Sequence, residues 1–293
     1  MKAFLFSILL GIAAFSVLPA QSGRGGGSAR DPGGGLSDAL SQMDSALSQA
    51  NDDISSEDAY FLGRAVAANI LSRYRLYTQK PAAARYLNQI CAAITANSPM
   101  PDVYNGYHVA ILDSPELNAF ATTGGHIFVC RGLMEAVATE DALAAVLAHE
   151  IAHIQLSHGV ELIKNMRLTQ ELSNTADRAA GIAAREAGLN RRKVLFDNSV
   201  REMVTTLIVN GYTHKQEFEA DTYALGLLAG AGYFPGSMVD VLTILQKRGS
   251  PSGAGGAHPQ PAQRITNVQR DQSRYQVQDT RSFRAVRFAG SLR

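Results

Sequence analysis

The chain has 293 residues, 46% of them hydrophobic, and a formal net charge of +1 from 27 basic and 26 acidic side chains. That apolar content supports a folded core and excludes disorder of the chain as a whole. Near-neutral charge without a long Lys/Arg run excludes the electrostatic footprint of a nucleic-acid binder and gives no general attraction to an anionic membrane surface.

Lys2, the mostly apolar run 3–17 and then Leu18, Pro19 and Ala20 form the pattern of a secretory signal peptide, residues 1–20, cleaved after Ala20. The same run approaches the roughly 20 residues of a membrane-spanning helix, so an uncleaved anchor is the alternative. No later stretch is long and apolar enough to cross a bilayer. The signal predicts export, to the periplasm of a bacterium with an outer membrane or to the outside. Export would put Cys91 and Cys130 where disulfides form; they can pair there, or stand as two small buried apolar side chains.

Residues 21–35, mainly Gly, Ser, Arg, Asp and Pro, predict a flexible linker. Over 36–78 apolar residues recur at helical spacing and predict two helices broken near 51–55; 81–96 predicts another. Runs at 107–112, 117–121 and 126–130, punctuated by Asp113-Ser114-Pro115 and Gly124-Gly125, predict three strands of a small sheet. Helical spacing returns at 132–138 and at 141–158, with Gly159 expected as a left-handed cap. Further helices are predicted over 176–212, 217–229 and 235–246. Residues 249–263 read as a loop, and within the C-terminal tail 271–293 the basic stretch 274–293 reads as weakly structured or a late strand.

The helix over 141–158 carries His149-Glu150-Ile151-Ala152-His153. At about 100° per residue the two imidazoles fall within about 40° of one another and one turn apart, so both reach one metal ion. Glu150 projects to the flank of that face, the position of a general base beside the ion. Such a site takes three protein ligands and leaves a fourth place open. A metzincin would need Gly at position 156 and His at position 159, but the chain has Leu156 and Gly159. His158, about 140° round the helix from His153, is expected to point elsewhere and serve the helix C-terminus. The better third ligand is Glu217 in Glu217-Phe218-Glu219-Ala220-Asp221, where Asp221 shares the face of Glu217 and can orient a ligating imidazole. The cofactor expected is one Zn2+ per chain.

These residues resemble the HtpX and CAAX-prenyl-protease family of gluzincin metallopeptidases, in particular its exported, BepA-like branch. The resemblance covers roughly residues 107–265: Leu117-Asn118-Ala119-Phe120-Ala121, a glycine pair, His126-Ile127-Phe128-Val129, Gly132-Leu133, then the two motifs, in order. It implies an α+β, mainly α-helical, zincin-like fold with a small sheet beside the HExxH helix. It implies Glu217 as third ligand, Asp221 behind the ligands, and Asn118, Ala119 and Phe120 as the strand along which an extended polypeptide substrate pairs. His258-Pro259 and Arg264-Ile265 match positions thought to stabilise the oxyanion in the membrane branch. His258 can equally be a fourth metal ligand that holds the enzyme latent, or a solvated loop residue. Thr222 and His214 stand where soluble members often carry Arg.

The organisation expected is therefore a metallopeptidase domain over 36–270 after signal and linker. The activity implied is endopeptidase cleavage of unfolded or misassembled envelope proteins, with outer-membrane assembly components or a membrane surface as partners. The rival class is a zinc-held, chaperone-like binding module with little turnover, against which Glu150 argues, since a structural site has four closed ligands and no use for that carboxylate. A zinc hydrolase of another small substrate stays open on the residues alone.

Overall fold

The computed structural model describes residues 54–166, 189–248, 261–275 and 277–292. The signal sequence, the linker, residues 36–53, residues 167–188, and His258 with the rest of 249–260 lie outside the described residues. What is described is mainly α-helical with one three-stranded mixed sheet, an α+β zincin-like fold as expected from the sequence.

Helix α1 (Ser56–Arg73) starts where Ser55 Oγ accepts the Asp58 N–H at 3.1 Å. Helix α2 (Pro81–Ala96) opens on a proline, whose missing N–H has no partner to lose at that position. Three short strands follow: β1 (His108–Leu112), β2 (Ala119–Ala121) and β3 (His126–Cys130). The order is β1-β3-β2, with β3 parallel to β1 (His108 opposite His126) and antiparallel to β2 (Phe120 opposite Phe128). Gly124 and Gly125 make the turn between β2 and β3 at φ of 80° and 98°, the left-handed region closed to most side chains.

Alternation along the strands separates two cores. Val109, Ile111, Ala119, Ala121, Ile127 and Val129 face the larger one, and Leu112, Phe120, Phe128 and Cys130 face the smaller. The smaller core is closed by α1 and by α6 (Leu189–Thr205), which ends in a π-helical turn, Thr206–Asn210. The larger holds α2, the short α3 (Arg131–Ala136), α4 (Glu140–Gln155), α7 (His214–Gly230) and α8 (Ser237–Arg248). Every residue of α4 except Ile154 is buried, so the motif helix is the centre of the molecule and not a surface stripe.

The structure corrects the sequence at three places. The motif helix stops at Gln155, and the left-handed residue is Ser157, at φ 58°; Gly159 lies in the next helix, α5 (residues 158–166). Gly159 is there for space, because a Cβ on it would meet Met203 Cε and Thr123 Cγ2 at 2.8 Å. Pro261 to Gln263, expected as loop, begin α9 (Pro261–Asp271), again with proline leading. The tail contains a helix, α10 (Arg281–Leu292), instead of a strand, anchored by buried Phe288 and by arginines that reach back to α4. No helix among the described residues is long and apolar enough to cross a membrane.

Candidate metal centre

Both ends of α4 are tied down. Thr139 Oγ1 accepts the Ala142 N–H at 3.1 Å, and Glu140 and Asp141 complement the positive end of the helix. Glu140 accepts from the Tyr86 and Tyr233 hydroxyls and from Arg287, while Asp141 accepts the Phe234 N–H at 2.8 Å and a bond from Arg284 at 3.1 Å. At the other end the Gln155 amide nitrogen lies 2.9 Å from Ser98 Oγ, the Met100 carbonyl and the Tyr107 hydroxyl, and Tyr223 donates to Gln155 Oε1 at 3.0 Å.

Helix α7 is set by a capping box. Thr213 Oγ1 accepts the Gln216 N–H at 3.3 Å and Gln216 Oε1 accepts the Thr213 N–H at 3.2 Å, so the turn that presents the next residue, Glu217, has its orphan donors satisfied. The Gln216 amide also donates to Glu161 of α5 at 3.0 Å. Helices α4 and α7 pack closely together, which brings the two motifs face to face.

His149 Nε2 and His153 Nε2 stand 3.1 Å apart, and the Glu217 carboxylate completes the triangle with Oε2 3.6 Å from His149 Nε2 and Oε1 3.5 Å from His153 Nε2. Ligands at the roughly 2.0–2.1 Å typical of zinc, at tetrahedral angles, stand about 3.3 Å apart, so this donor set fits the ion without rearrangement. Among the described residues this is the group of His, Cys, Asp and Glu side chains that could hold a metal. Glu150 lies on α4 between the two imidazoles in sequence, is buried, and is near enough to raise the pKa values of Tyr212 and Arg264 by its charge.

Asp221, one turn after Glu217, meets His149 Nδ1 at 3.0 Å, which leaves Nε2 to face the triangle. Arg264 of α9 grips Asp221 with two bonds of 2.7 Å, lies 3.4 Å from both ring nitrogens of His149, and brings Nη1 within 2.7 Å of Glu217 Oε2. The Nη1 contact is an ion pair without hydrogen-bond alignment. Burial alone would raise the Asp221 carboxyl; the Arg264 guanidinium and His149 outweigh it and hold the group at about 2. Arg264 thus lies behind the ligands, 2% exposed and ion-paired with Asp221 and Glu217, at the position for which the resemblance implied an oxyanion donor. The geometry makes it a positioning residue. His258, its companion in that expectation, is outside the described residues.

Two residues escaped the sequence. His158 was expected to point away, but the turn at Ser157 swings it back so that its Nδ1 lies 2.9 Å from His153 Nδ1. Tyr212 lays its ring on His153, centroids 4.2 Å apart and planes 16° from parallel, and burial pushes its hydroxyl pKa upward. A signal for Tyr212 existed in its place next to the capping-box residue Thr213; none existed for a helix break at Leu156.

Strand β2 is an edge of the sheet and packs beside α4. The Asn118 carbonyl accepts the Cys130 N–H at 2.9 Å. Phe120 points into the smaller core, 5.9 Å from the Tyr74 ring, so its side chain is structural and any service to a substrate falls to the backbone. Ala119, Phe120 and Ala121 are all buried. Cys91 and Cys130 are free and buried, one in each core.

The chain is similar to several known metallopeptidases. Metalloprotease LoiP of Escherichia coli (strain K12) is 30% identical over 155 residues, 52% of this chain and 58% of the relative. Mitochondrial metalloendopeptidase OMA1 of Schizosaccharomyces pombe is 28% identical over 191 residues, 63% of this chain and 51% of the relative. The beta-barrel assembly-enhancing protease of Escherichia coli (strain K12) is 24% identical over 195 residues, 64% of this chain and 38% of the relative. The chain therefore spans 38% to 58% of the length of these three. The profile of peptidase family M48 matches residues 81–272, from α2 through both motif helices to α9. Because that match takes in more than half of the 293 residues, the chain belongs to peptidase family M48.

Proposed function

We propose that this chain is an exported zinc endopeptidase that cleaves unfolded or misassembled envelope proteins. The observation that carries the reading is the convergence of His149 Nε2, His153 Nε2 and the Glu217 carboxylate within one triangle, with Glu150 on the same helix. His149, His153 and Glu217 would hold the ion. Bound there, zinc supplies Lewis-acid chemistry that polarises a scissile carbonyl and acidifies water. Glu150 takes the proton that the attacking water sheds and returns it to the amine that leaves, which balances the hydrolysis. Asp221 and Arg264 keep His149 and Glu217 aimed.

A polypeptide substrate is supported by relatives whose names are those of endopeptidases and of a protease of β-barrel assembly, and an extended chain would run along β2, an edge strand among the described residues. Export rests on the pattern of residues 1–20. A latent state is compatible with one observation: the three ligands and Glu150 are at most 5% exposed.

The test is cleavage of unfolded casein by the zinc-loaded chain and by Glu150→Gln, with metal content measured in both and o-phenanthroline as control. Retained zinc with a loss of at least about 100-fold in the variant supports the reading. Equal cleavage by both proteins sinks Glu150 as base, and no cleavage by either favours the binding-module reading.

A further inference from the structure

The two ligand imidazoles are backed by different groups. His149 offers Nδ1 to Asp221 at 3.0 Å, a carboxylate behind an imidazole. His153 offers Nδ1 to another imidazole, His158 Nδ1, at 2.9 Å, with both rings buried. Two nitrogens at that separation hold one proton between them, since two N–H groups would collide and two lone pairs would repel. His153 Nε2 is the atom that converges with His149 Nε2 and Glu217, so it carries the lone pair and the proton of the neutral ring sits on Nδ1. His158 must then accept on Nδ1 and carry its own proton on Nε2, which faces Glu219 Oε2 at 3.6 Å. The fold secures this arrangement through the left-handed Ser157, without which His158 would lie about 140° away from His153 round a continuous helix.

We propose that His158 is a positioning residue for the metal: it fixes the tautomer and ring orientation of ligand His153, while its own Nε2 faces the partly exposed Glu219 beyond hydrogen-bond distance. The inference rests on the zinc-site reading above and adds residues that lie in neither motif position of a ligand. His153 is clamped from a second side by the stacked Tyr212 ring, so loss of His158 leaves the ring near its place but frees its proton to move to Nε2, where it blocks ligation.

The experiment measures zinc affinity by competition with a chromogenic chelator, and the visible spectrum of the cobalt-loaded protein, in wild type, His158→Phe, His158→Asn and Glu219→Gln. His158→Phe is expected to bind zinc about 10–100-fold more weakly and to shift the cobalt bands. His158→Asn, whose Oδ1 can accept in place of Nδ1, is expected to recover most of that loss. Glu219→Gln is expected to stay within about twofold of wild type, because its partly exposed carboxylate stands 3.6 Å from His158. Wild-type affinity in His158→Phe, or equal losses in the Phe and Asn variants, overturns the proposal while leaving the zinc site intact. A wild-type chain that binds no zinc removes the zinc-site reading and this proposal together. If the Phe variant does not fold, nitrogen-15 NMR of the zinc-loaded wild type decides: Nδ1–H on His153 with Nε2–H on His158 supports the proposal, and Nδ1–H on His158 overturns it.

Discussion

Arg264 and Asp221 form a two-toothed ion pair, Nε to Oδ2 and Nη2 to Oδ1 at 2.7 Å each, buried beneath the metal ligands. Its other nitrogen reaches Glu217, so one cation neutralises two carboxylates on which the centre depends. Arg264→Ala leaves both charges buried without that partner, a change that costs about 3–5 kcal/mol in comparable buried pairs. The variant is expected to unfold at clearly lower urea concentration. Arg264→Lys restores a charge but not the fork, and is expected to recover less than half of the loss. A midpoint within experimental error of wild type in Arg264→Ala would show that the pair contributes nothing to stability.

Acid sensitivity should trace to Glu140. Burial opposes its charge, but bonds from Arg287, Tyr86 and Tyr233 outweigh that and depress its pKa. A carboxylate with a depressed folded pKa contributes stability above its unfolded pKa and loses it as pH falls through the folded one. Wild type is therefore expected to lose thermal stability as pH falls through and below the ordinary glutamate value of 4.5, and Glu140→Gln to start lower and change less over that fall. The Arg287 side chain is 57% exposed, so high salt should reproduce part of the effect. Parallel melting curves for the two proteins across that range would remove Glu140 from the account.

Tyr212 covers His153 with its ring, whereas its hydroxyl points to the α5 side, 3.5 Å from where a Cβ on Gly159 would stand. Tyr212→Phe is expected to keep zinc affinity and turnover within about threefold of wild type, a margin of well under 1 kcal/mol. A drop of tenfold or more in kcat at unchanged zinc affinity would mean that the hydroxyl reaches the reacting atoms when the site opens.

How far the sequence carried the structure depended on whether a feature was periodic or positional. The HExxH helix was legible because Leu143, Leu147 and Ile151 recur at helical spacing around the histidines, and all three are fully buried. Glu217 and Asp221 were legible from their spacing of four. The break after Gln155 was not, because the left-handed position fell to Ser157, a residue that rarely adopts it, while nearby Gly159 gave a false signal and is required for packing. The place of Arg264 behind the ligands was not legible either, because the resemblance supplied its role and nothing in the spacing pointed to its ion pairs with Asp221 and Glu217. The helix of α10 was hidden because its partners, Glu140 and Asp141, lie more than 140 residues earlier in the chain.

Cys91 and Cys130 stand as buried free thiols on opposite sides of the sheet. Burial pushes both to about 12, so neither is a thiolate at neutral pH. Native protein is expected to react with a thiol reagent only as fast as it unfolds, and both sites at full rate in denaturant. Rapid modification of the folded chain, or a failure to titrate two thiols after unfolding, would contradict this arrangement.

The contact between Arg287 and Glu140 spans 147 residues of sequence. A ribosome therefore releases the HExxH helix long before it has made the arginines that secure the first turn of that helix. The first turn of that helix, already capped by Thr139 and held by Tyr86, thus gains its arginine partners only when nearly the whole chain has been made.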